Sequence, residues 1–90
     1  MNKFQNVGIA WFYEDDWEEW KNISEDQIEE TYENWLISAK ITESNLEKEY
    51  EHVEEVFIVP SEFKRWCKKH IKKINSSSRS EYVTWLLLNK

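Results

Sequence analysis

The sequence predicts an α+β fold, rich in helix, with elements in the order β-α-α-β-α-α around a small two-stranded sheet. Three observations predict it. Two short runs of β-branched and aromatic residues, 7–13 and 53–59, read as strands. Between and after them, apolar residues recur at spacings of three, four and seven, and each such segment opens on a hydroxyl or carboxylate residue suited to a helix start. Gly8 and Pro60 are the only residues of their kinds, so tight turns are few and long elements are favoured.

Residues 7–13 (VGIAWFY) form the first expected strand, which stops at Glu14-Asp15-Asp16. Asp15, with Glu18 three positions on, is placed to cap a short helix that carries Trp17 and Trp20 and ends near Asn22. Ser24 and Gln27 make a capping box, and Ile28, Tyr32, Trp35, Leu36, Ala39, Leu46 and Tyr50 continue as one stripe. A long helix from Ser24 is therefore expected, softened at residues 41–44, where Ser44 and Glu47 offer a second start. Residues 53–59 (VEEVFIV) are the second strand, closed by Pro60.

Ser61 is expected to cap the most regular helix. Its apolar residues Phe63, Trp66, Cys67, His70, Ile71 and Ile74 follow helical spacing, and Lys64, Arg65, Lys68, Lys69, Lys72 and Lys73 take the other side. A Ser loop follows. Ser78 with Glu81 then forms a capping box for a last helix carrying Tyr82, Val83, Trp85, Leu86, Leu87 and Leu88, apolar on most of its circumference. Two strands joined by a long helical crossover are most simply parallel, with antiparallel pairing the alternative.

Ninety residues predict a single domain with a small core, since a chain of this size buries only about 60–65% of its unfolded surface. Six Trp, four Tyr and four Phe compensate, each removing roughly 150–250 Å² from water. Charge is sorted along the chain: residues 1–62 carry a net −13 and residues 63–90 a net +7. The lone Cys67 excludes an internal disulfide and fits a reducing compartment. The opening residues lack the apolar run of a signal peptide, and no stretch approaches the ~18 apolar residues of a membrane span. A cytoplasmic protein without a membrane partner is expected.

Several motifs resemble those of a group of small bacterial proteins that have no assigned function. They are Ile9-Ala10-Trp11 with Trp17, then Thr31-Tyr32-Glu33-Asn34-Trp35-Leu36 with Ala39, then Phe63-x-x-Trp66-Cys67, and finally Arg79-x-x-Tyr82. The resemblance spans roughly residues 9–85 and implies the same order of elements. It implies no catalytic residue, and the residues themselves lead to no cofactor being expected.

No catalytic motif is present, and one Gly leaves no phosphate-cradling loop. Cys67 and His70, three apart on one helix, are the ingredients of a nucleophile pair or of half a zinc site, with His52 the only other conventional N or S ligand. Both fall in an apolar stripe, which favours packing over chemistry. Glu14, Asp15, Asp16, Glu18 and Glu19 offer clustered oxygens but no calcium-loop spacing; they suit a helix start instead.

The basic helix is the sharpest candidate surface, through Lys64, Arg65, Lys68, Lys69 and Lys72. A pI near 4.9 argues against direct nucleic-acid binding, and the acidic segment is available to neutralise the cations internally. The apolar C-terminal helix adds Tyr82, Trp85 and Leu88 as a contact surface, of which a homodimer is the simplest use. The expected function is thus a non-catalytic protein-interaction module, binding another protein or itself. The alternatives are an acidic inhibitor that imitates nucleic acid with Glu25, Asp26, Glu29, Glu30, Glu33 and later carboxylates, and a ligand- or metal-binding protein using Cys67 and His70.

Overall fold

The computed structural model describes residues 4–89. Residues 1–3, read above for the lack of a signal peptide, and Lys90 lie outside the described residues. The elements are β1 (Phe4–Trp11), a 3-10 turn (Glu14–Asp16), α1 (Trp17–Ile23), α2 (Tyr32–Leu46), β2 (Tyr50–Phe57), α3 (Pro60–His70) and α4 (Ser76–Leu88). The expected α+β class and order of elements hold. So does the parallel pairing, in a register running from Phe4 opposite Tyr50 to Trp11 opposite Phe57.

Both strands begin three residues earlier than the apolar runs suggest. Gln5, Asn6, Glu51 and His52 extend the ladder because a two-stranded sheet leaves much of each strand in water, where polar side chains cost nothing. Just past the paired residues the Ile58 N–H still donates to the Trp11 carbonyl at 3.1 Å, and Phe12 and Ile58 are buried in the core.

The two faces of the sheet meet different helices. A Cβ on Gly8 would stand 2.6 Å from Leu87 Cδ1 and 2.8 Å from Val83 Cγ1, so α4 packs directly on the bare backbone of β1. Close approach, not turn geometry, requires this glycine. Trp11 points to the opposite face, where its ring meets Trp35 of α2 edge-on at 5.3 Å. Beyond β1, α1, α3 and α4 enclose the core. Trp20, Ile58, Phe63, Cys67 and Val83 are its fully buried members.

Trp17, Trp20 and Trp66 bury their indole N–H groups with no hydrogen-bond partner among the described residues. Each such orphan costs roughly 1–3 kcal/mol. Burying 150–250 Å² at ~25 cal/mol per Å² contributes about 4–6 kcal/mol, so area wins over hydrogen bonding in this core.

All four helix starts differ from expectation: α1 begins at Trp17 behind Asp16 with no side-chain cap, so Asp15 lies within the 3-10 turn instead of capping the helix. Ser24 ends α1 instead of opening α2, which starts at Tyr32 behind Thr31, whose Oγ1 accepts the Asn34 N–H at 3.2 Å. Residues 24–31 stay irregular because Glu25 and Asp26 are engaged across the fold. They accept the backbone N–H groups of Ile74 (2.6 Å) and Ser76 (3.1 Å), and Asp26 also pairs with Arg79 at 2.6 Å. α3 begins with Pro60 at its first position and Val59 as N-cap, so Ser61 lies inside the helix. α4 is capped by Asn75, whose side chain accepts the Ser78 N–H at 3.0 Å, and Ser78 is buried inside the helix. The soft middle expected at residues 41–44 is continuous helix, which ends at Leu46 with no second start.

α3 closes on Ile71 in the left-handed conformation (φ 55°, ψ 54°), with the Lys72 N–H donating to the Cys67 carbonyl at 2.8 Å. A β-branched residue there costs on the order of 1–2 kcal/mol. Lys68, Lys69 and His70 occupy the last turn, where cations favour the helix dipole. Among the described residues no helix is long and apolar enough to cross a membrane.

Candidate functional site

Helical spacing places Phe63, Trp66 and His70 on one side of α3, and Tyr82 and Trp85 on the facing side of α4. Their rings form a continuous ladder from core to surface. Phe63 meets Tyr82 at 5.3 Å, Tyr82 meets Trp66 at 5.2 Å, and Trp66 meets His70 at 4.8 Å. Trp85 stacks on Tyr82 at 6.1 Å with only 11° between the planes. Exposure rises along the ladder: Phe63 is fully buried, Trp66 half-buried and Trp85 41% exposed. Leu88, one turn beyond Trp85, is 80% exposed.

Tyr82, expected on the contact surface, is instead 6% exposed, and burial raises its hydroxyl pKa. It supports Trp85 from beneath. His70 also departs from expectation: it is exposed on the Trp66 ring and not packed in an apolar stripe. The core needs only Phe63 and Cys67 from this helix, and the α3–α4 crossing leaves the next turn in solvent.

Lys64, Arg65, Lys68 and Lys69 are exposed, and none makes an ion pair among the described residues. The acidic segment does not fold over them. Among the described residues its one ion pair to the basic tail is Asp26 with Arg79, away from these four. Lys72 differs from them: it pairs with Glu81 at 2.6 Å and ties the end of α3 to α4.

The remaining candidates are dispersed or engaged. The Cys67 thiol is buried and donates to the Lys73 carbonyl at 3.8 Å; burial raises its pKa, which favours the protonated form. No group of three or more His, Cys, Asp or Glu residues is arranged to hold a metal ion among the described residues. The acidic residues expected on one long helix face do not share one. Glu25, Asp26, Glu29 and Glu30 precede α2, and Glu30 pairs with Lys21 at 3.0 Å. Glu43, further along α2, lies against Glu55 of β2, and burial with that hydrogen-bonded carboxyl pushes its pKa to about 7.

One feature escapes sequence reading altogether. A groove of about 840 Å³ runs along β1 between α2 and α4, closed at one end by residues 26–29 and Arg79. Helical periodicity reports which side of an element is apolar, not where two elements stand apart, so no local signal marks it. Comparison of the chain with protein-family models, with curated proteins and with solved structures yields no match in any of the three.

Proposed function

We propose that the protein is a non-catalytic protein-interaction module whose contact face joins Trp85, Leu88, Trp66 and His70 to Lys64, Arg65, Lys68 and Lys69. One observation carries the reading: large apolar side chains stay exposed on a ring ladder anchored in the core, and Lys64, Arg65, Lys68 and Lys69 of the same helix α3 are exposed without an ion pair among the described residues. A pre-ordered aromatic loses little entropy on binding, and Trp and Arg are the residue types that concentrate binding energy. The partner this face fits presents carboxylates around an apolar patch. A second copy is the simplest such partner, since residues 1–62 carry a net −13. A reducing compartment, the cytoplasm, suits the unpaired Cys67.

Native mass spectrometry and sedimentation of wild type and the Trp85→Glu/Leu88→Glu double variant test this. Association that weakens at least about tenfold in the variant, at unchanged circular dichroism, supports the face. A folded variant that associates as wild type does, or a wild type that stays monomeric and captures no acidic protein, removes it.

A further inference from the structure

In a two-stranded sheet each strand has one neighbour, so β1 keeps a free edge of backbone N–H and C=O groups. The groove lies along that edge. Its lining takes Val7 and Ile9 from one face of β1 and Gly8 and Ala10 from the other, but no residue of β2. A hollow that touches both faces of one strand and none of its partner must follow the strand's outer side.

Open edges are normally defended by charge, proline or a bulge. β1 (FQNVGIAW) has no charged residue and no proline, whereas β2 (YEHVEEVF) carries Glu51, Glu54 and Glu55. The undefended edge is the one that lies inside a groove. α2 and α4 shield it from edge-to-edge pairing with a second copy, because the same two helices on that copy would meet before the strands came within ~4.8 Å. A single extended chain has no such obstruction.

We propose that the groove is a strand-acceptor site, in which an extended segment of a partner protein adds to the free edge of β1 as a third strand. The walls specify its chemistry. Side chains turned towards α2 meet Ala39, Thr42 and Leu46, which suits medium apolar residues; those turned towards α4 meet Ser80 and Thr84, which suits small hydroxylated ones. At the closed end Asp26 is held by Arg79, but exposed Glu29 makes no ion pair among the described residues and suits a cation on the segment. The segment is therefore about five residues of alternating apolar and small polar character with a basic flank.

The probe is an acetylated, amidated heptapeptide in which valine alternates with serine and each end carries arginine. Titrated into the full chain, it should bind saturably and slow amide hydrogen exchange in residues 7–10 by at least roughly tenfold. Thr84→Arg and Ser38→Arg, both at exposed groove positions, should each abolish this, and Glu29→Lys should weaken it. Trp85→Glu, on the other side of α4, should leave it unchanged. Proline in place of the central valine should eliminate binding by removing a ladder donor. Unchanged exchange in residues 7–10 at millimolar peptide overturns the proposal, as does binding that survives both arginine variants. Concentration-dependent protection of residues 7–10 without peptide also overturns it, because the occupant would then be a second copy.

Discussion

β1 and β2 lie side by side in one register, yet the same ladder position means different things on the two strands. Trp11 is buried against Trp35, while its partner Phe57 is 45% exposed and stacks on Tyr13 at 4.8 Å. Gly8 is covered by α4, while its partner Glu54 stands on the charged strand. Ile9 lines the groove, while its partner Glu55 shares a hydrogen bond with Glu43. A two-stranded sheet therefore need not have two equivalent edges. Here one strand is built into the core and the groove, and the other is built to face water.

Substitution at matched positions tests that asymmetry most directly. Trp11→Ala should cost about 3–5 kcal/mol, whereas Phe57→Ala should cost about 1 kcal/mol, the scale of one exposed aromatic pair. Urea midpoints of the two variants check it, and equal losses would end the comparison. Gly8→Ala comes next, at about 1–3 kcal/mol, because Leu87 and Val83 must shift to admit the methyl group.

The smallest expected effect is a pH dependence on the β2 side. The Glu43 carboxyl lies between Glu55, Glu47 and Lys40, and its pKa in the folded chain is about 7 against an ordinary 4.5. The folded state therefore holds this proton more tightly than the unfolded chain does. The stabilisation is complete below about pH 4.5 and is lost as pH rises through about 7. Glu43→Gln should flatten that decline, leaving the variant at least as stable as wild type at pH 8. Thermal melts from pH 4 to 8 check it, and a wild-type profile without the decline would separate Glu43 from Glu55.

Local signals marked the elements well and the junctions poorly. The strands were legible because residues 7–13 and 53–59 are short runs rich in β-branched and aromatic residues, ended by Glu14-Asp15-Asp16 and by Pro60, and α3 because its charged and apolar residues separate onto two sides. Ser24 and Ser78 misled because a capping pattern describes only what a helix start would gain locally. Asp26, 53 residues from Arg79 in sequence, takes up that pairing and the Ser76 N–H, and so fixes where α2 and α4 begin. The contact face was legible in part. Trp85, Leu88 and the cations are exposed as the apolar circumference of the last helix suggested, but Tyr82 is buried, because only the crossing of α3 over α4 selects which aromatic lies between them.

The class, the order of elements and the separation of an acidic body from a basic tail follow from residue type and spacing along one chain. Tertiary structure alone decided that the cations of α3 stay uncovered, that Glu43 meets Glu55, and that the edge of β1 lies between two helices. Those outcomes depend on distances between residues far apart in sequence, and such distances are set by how much side-chain volume fits between packed elements, as at Gly8, where the lack of a side chain brings α4 onto the sheet.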